Sequence, residues 1–163
     1  MLSNTSRPAA VVMCFFLAGC GAHPSDESLR QRFFQDEASF DKLVRMAQDD
    51  PQMTRIAPGF TWPTGKEVPF STQRWGEYCD LFKKLGINDG IGRLDKQSGL
   101  MLIVNSTGIV GRGTAKGYAY SKKQLEPIVD SLDNPMPRPC VGQKDCIAFK
   151  PLKNNWYLFY EIG

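Results

Sequence analysis

Histidine is almost absent from this chain of 163 residues: His23 is the only one. It lies in "GAHPSDES", a polar stretch that reads as a tether ahead of the folded part, so the domain is expected to contain no imidazole for proton transfer. On that expectation Ser-His-Asp and Cys-His nucleophilic mechanisms are excluded within one chain. Cysteine is scarce as well, with five in all, and no pair has C-x-x-C spacing. With so few Cys and His partners, a usual structural or catalytic zinc site is excluded, and neither a metal nor a cofactor is expected.

An excess of one charge is also missing. Twenty Lys and Arg against 17 Asp and Glu leave a net charge of +3. The basic residues are scattered, so no nucleic-acid partner is expected. There is no internal repeat and no low-complexity segment. A phosphate cradle is absent too. In "GIVGRGTAKG" the residues Gly108, Gly111, Gly113 and Gly117 lead into the strand-like "YAYS" rather than opening a helix, and no G-K-[ST] follows. A bulged or tightly packed strand pair is the expected structure there. What the chain does have is 42% hydrophobic and 11% aromatic residues, enough for a packed core. Its length points to a single domain.

The longest apolar run, "PAAVVMCFFLAG" at residues 8–19, is shorter than the roughly 20 residues a bilayer span requires and has the length of a secretory h-region. Arg7 precedes it. The run ends in "LAGC", Leu17 to Cys20, which resembles the lipobox of bacterial lipoproteins. That resemblance implies cleavage before Cys20, a diacylglycerol on its thiol and acylation of the new α-amino group. Gly21, where a retained lipoprotein would have Asp, implies an outer-membrane address facing the periplasm. Acyl chains contribute about 0.8 kcal/mol per buried methylene, so two or three of them anchor a protein stably. The segments read as 1–19 signal peptide, 20–26 lipidated cysteine and tether, and 27–163 one domain. A buried N-terminal helix is the competing reading, opposed by Pro8 and by the abrupt polar switch after Cys20. In the oxidising space that the signal implies, Cys140 and Cys146 read as a disulfide. Cys79 is the odd one out.

Within the domain, Ser25 is a candidate N-cap for a helix whose stripe is Leu29, Phe33, Phe40, Leu43, Val44 and Ala47. Asp50-Pro51 ends it, and "PQMTRIA" reads as a short second helix. "PGFTWPTGKEVP" reads as an ordered loop with Phe60, Trp62 and Val68 as anchors onto the core. The next helix runs from the cap Ser71 to the stop Gly86, with Trp75, Tyr78, Cys79, Phe82 and Leu85 inward. Strand-like runs follow: "GIGRL", "LMLIVNS", "GYAYS", "CIAFK" and "WYLFYEI". The insertion "SKKQLEPIVDSLDNPMPRP" is expected to form a helical turn or two and then an extended loop. The sum is an α+β fold, with N-terminal helices packed on an antiparallel sheet of about four to five strands.

Two groups of side chains remain as candidate sites. Glu126 and Asp130 would share a helix face, with Asp133 nearby, and two such carboxylates could serve a hydrolase. Tyr118, Tyr120, Tyr157 and Tyr160 crowd the last strands, where they either fill the core or offer an aromatic surface for peptide or glycan. The segments "RIAPGFTWP", "YCDLFKKLGINDGIGR", "KGYAYS", "IVDSLD" and "NWYLFYEI" together resemble a group of small bacterial lipoproteins with an α+β domain of unknown function. The resemblance implies the fold and the anchor and carries no activity or catalytic residue. The leading expectation is a non-enzymatic envelope lipoprotein that binds a protein or cell-wall component. An immunity or inhibitor protein against a toxin and a carboxylate-based hydrolase are the alternatives.

Overall fold

Ser25 caps the first helix as its position predicts: its side chain accepts the Ser28 N–H at 3.2 Å, with Asp26 and Glu27 in the first turn. The structure, a computed structural model, describes residues 23–63, 71–94, 99–109, 112–133 and 137–163. The expectations for the signal segment 1–19, for Cys20 and for Val68 lie outside these residues. Helix α1 spans Asp26–Asp49 and buries the whole predicted stripe from Leu29 to Ala47. Its last turn contains no basic residue, and its final carbonyls are met from elsewhere. The Arg93 guanidinium donates to Ala47 O at 2.8 Å and Asp50 O at 3.1 Å, and Arg74 donates to Met46 O at 3.0 Å.

Helix α2, Thr72–Leu85, is capped by Ser71 and ends at Gly86, whose φ of 63° is the left-handed conformation such a stop requires. Tyr78, Leu81, Phe82 and Leu85 are buried. Cys79 is half-buried at the margin of the stripe and is a free thiol.

The sheet has seven strands, not the expected four to five: β1 Arg55–Ala57, β2 Phe60–Trp62, β3 Gly90–Arg93, β4 Leu100–Ile109, β5 Arg112–Tyr120, β6 Cys146–Lys153 and β7 Trp156–Ile162. All pairings between these strands are antiparallel, in the order β2-β1-β3-β4-β5-β7-β6. The first two strands correct the sequence reading of this region as a short helix and a loop. In "APGF" Pro58 precedes Gly59 at φ 90°, and Ala57 pairs with Phe60. This is the Pro-Gly turn that folds three-residue strands back on each other. Phe60 and Trp62 are 50% and 60% exposed, so they do not act as anchors onto the core.

Register separates the two faces of the sheet. Ile56, Ile91, Leu102, Tyr118 and Leu158 form one row across β1, β3, β4, β5 and β7. Both helices contribute to the core on this face, where Phe33 and Phe40 meet Tyr118 and Trp156. The opposite face has a smaller core of Ile103, Ala119, Phe149, Tyr157 and Phe159, covered by Leu125.

Leu125 belongs to the proline-bounded insertion, which also departs from expectation. Residues 121–133 contain no helix, and the only helical turn among the described residues of the insertion is the 3-10 turn Arg138–Cys140. The segment instead wraps the β6 edge. Leu125 sits on the second face, Ile128 bridges in parallel to Phe149, and Leu132 enters the core on the helical face. Glu126 and Asp130 therefore do not share a helix face.

Glycine is required where the sheet comes close to itself. A Cβ on Gly117 would lie 2.1 Å from Leu102 O and 2.9 Å from Val104 N. Gly117→Ala should cost about 2 kcal/mol or more in urea unfolding, by overpacking against backbone. Gly76→Ala in α2, where nothing stands within 4 Å, should instead stabilise by up to about 1 kcal/mol. Equal midpoints for the two variants would contradict the close β4–β5 contact.

Candidate functional site

The alternation of β5 puts Lys116 on the same face as Tyr118, which turns a lysine into the core. Its side chain is 2% exposed. Three oxygens surround the ammonium: Asp133 Oδ1 at 2.7 Å, Asp26 Oδ1 at 2.8 Å and Leu132 O at 3.2 Å. Asp26, the first residue of α1, is 5% exposed. Its Oδ2 accepts the Leu132 N–H at 2.9 Å and the Lys150 ammonium of β6 at 3.0 Å. Asp133 Oδ1 also accepts the Asp26 backbone N–H at 2.7 Å. Two lysines and two aspartates thus join α1, β5, β6 and the wrapping segment.

Burial by itself pushes the Asp26 carboxyl up. The Lys116 ammonium, the Leu132 amide and the Lys150 ammonium together outweigh it and hold the group below the usual carboxylate range.

His23 docks beside this cluster, which corrects its expected place on a free tether. Its Nε2 lies 2.6 Å from Thr114 Oγ1, and its ring meets Tyr160 edge-on at 5.5 Å. Thr114 Oγ1 is in turn 2.8 Å from Thr107 Oγ1 on the paired strand. Burial, and then the Lys116 charge, hold the imidazole below its ordinary value, while Asn105 acts in the opposite sense. Neither His23 Nδ1 nor Asn105 Oδ1 completes a hydrogen bond.

The folded domain therefore does contain an imidazole, in contact with a hydroxyl. A nucleophile–base pair needs such a contact, and it also needs a third group to orient the base. Here Asn105 is the polar neighbour that favours the charged ring, and the contact of Nε2 with Thr114 holds residue 23 on the sheet.

The other sequence-predicted residues are dispersed. Cys140 and Cys146 are disulfide-bonded, with Cα atoms 5.3 Å apart, closing the loop before β6. Tyr118 is fully buried and donates its hydroxyl to Leu29 O at 2.9 Å; burial pushes that hydroxyl above its usual range. Tyr157 and Tyr160 are buried on opposite faces, and Tyr120 is half-buried with its ring 5.2 Å from Trp156. The four tyrosines do not form one aromatic surface. Glu126 and Asp130 border different cavities, of about 310 and 440 Å³. Sequence reasoning missed the Lys116 cluster, although strand alternation from Tyr118 was signal enough to find the lysine.

Asp26→Ala leaves the buried Lys116 ammonium short of a partner and should cost about 3–5 kcal/mol, whereas Asp26→Leu combined with Lys116→Met should cost clearly less. Additive losses in the double variant would show that the two groups do not interact. The Asp26 contribution is present above the unfolded-state value near 3.8 and is lost as pH falls through the lower folded value. His23 adds a second window. Its folded value lies below 6.5, so its docking contributes fully above 6.5 and weakens as pH falls from there towards the folded value. Ring titration by NMR should return a His23 pKa below 6.5. A value at or above it would place the ring in solvent.

Comparison with known proteins gave no match among protein-family models, curated proteins or solved structures.

Proposed function

We propose that the chain is an envelope lipoprotein, held at the outer membrane by acyl chains on Cys20 and using its α+β domain as a non-enzymatic binding module. The observation that carries this reading is the docking of His23. His23 is fixed on Thr114, three residues after the lipobox cysteine. Three extended residues reach at most about 11 Å, so a lipid on Cys20 keeps the domain against the membrane surface.

The Cys140–Cys146 disulfide supports an oxidising compartment. Binding is supported by large apolar side chains left in solvent: Trp62 at 60% and Val141 at 64% exposure, with Phe60 beside the first.

Metabolic labelling with an alkyne fatty acid tests the anchor. The native chain should take up label and Cys20→Ala should not. Label retained in the variant, or absent from the native chain, overturns the anchor. For the binding role, a photo-crosslinking residue at position 62 in intact cells should give a discrete adduct that the same probe at Gln48, an exposed site on α1, does not. Identical patterns at both sites would count against a binding module.

A further inference from the structure

The second face of the sheet is only partly covered, and it contains a groove of about 310 Å³. Met101, Leu125, Ile147 and Phe149 supply its apolar surface, and Glu161 and Glu126 its acidic groups. Arg93 also borders it, but the Nε and Nη2 of Arg93 are committed to the carbonyls of Met53, Ala47 and Asp50.

Glu161 is the unusual member. On β7 it pairs with Ala115 on one side and Ile147 on the other, so its cross-strand neighbours are apolar. It is partly buried, yet its side chain makes no hydrogen bond and no ion pair among the described residues. Burial pushes its carboxyl above the usual range, against a smaller opposing pull from Arg55. A partly desolvated carboxylate whose side chain has no hydrogen-bond or ion-pair partner among the described residues is unfavourable.

We infer that this groove is a binding site for a small amphiphilic amine, its apolar body lying on Met101, Leu125, Ile147 and Phe149 and its ammonium paired with Glu161. Charge complementarity selects the ligand class: among the described residues the groove carries two carboxylates, Glu126 and Glu161, against one guanidinium, Arg93, whose Nε and Nη2 are turned to backbone carbonyls. The volume lies at the small end of the range for organic-ligand pockets, room for a body of one or two rings. A cation delivered there gives the Glu161 side chain a partner that it lacks among the described residues, in a setting where solvent screens the pair less than at an open surface. The site lies on the face away from the helices and does not depend on the lipid anchor.

The test uses the full chain in detergent with the water-soluble probe 2-phenylethylammonium, followed by methyl NMR at Met101 and Ile147. Two companion probes, 2-phenylethanol and 3-phenylpropanoate, keep the ring and change the charge. The ammonium probe should shift both methyl signals saturably and more tightly than either companion. Glu161→Gln should weaken it about tenfold, the loss of one charge-assisted contact. The same variant should unfold at a higher urea concentration than the native chain, because it removes a partly desolvated charge; that shift also reports that it is folded. Equal binding of the neutral or anionic probe, an unchanged affinity in Glu161→Gln, or no saturable shift up to the solubility of the amine would each overturn the assignment.

Discussion

The ammonium of Lys116, buried in a central strand, is the constraint on which the rest of the molecule depends. A charge taken out of water needs partners of the opposite sign in good geometry, or the fold loses several kcal/mol. Those partners come from two other segments: Asp26 from the start of α1 and Asp133 from the segment that follows β5. Apolar burial is non-directional and would let α1 slide along the sheet. An ion pair at 2.8 Å does not allow that. By fixing the first residue of α1 over β5, the cluster sets the register at which Phe33 and Phe40 reach Tyr118 and Trp156. The Tyr118 hydroxyl on Leu29 O extends the same alignment by one turn.

The same charge shapes the approach of the chain to the domain. Burial and then the field of Lys116 disfavour the imidazolium of His23, whose ring is placed against Thr114 and Tyr160. Docking at residue 23 and pinning at Asp26 leave little freedom within residues 23–26. For a protein anchored through Cys20, orientation relative to the membrane would then be a property of the fold rather than of a flexible linker.

Much of the fold was legible because it rests on local signals. Ser25, Ser71 and Gly86 bound the helices where capping chemistry puts them, and the α1 stripe buries as its period predicts. The strands from Gly90 onward follow from β-branched and aromatic runs between turns. What failed to show was non-local. β1 and β2 are three residues each, too short for a periodic pattern, and only the Pro58-Gly59 turn marked them. The 121–133 segment reads as broken helix from its composition, yet it is held extended by backbone bonds to Phe149 and by Leu132 at the Asp26 carboxylate. His23 read as tether because nothing in "GAHPSDES" announces a pocket made by Thr114, Asn105 and Tyr160. The acidic groove was illegible for the same reason: Glu126 and Glu161 lie on different segments and meet only through the wrap around β6.

That wrap connects the two faces of the sheet. Leu125 and Glu126 form part of the groove on one face, while Leu132 and Asp133 close the charge cluster on the other. Seven residues separate Leu125 from Leu132, a reach of at most about 25 Å. In between, Pro127 O and the Val129 N–H are bonded to Phe149 of β6. A segment held at both ends and in the middle has little freedom to collapse into the space beneath it. The groove is therefore kept open by the same ion pairs that place α1, and a ligand entering it meets a formed wall without the ordering cost that a mobile loop would impose.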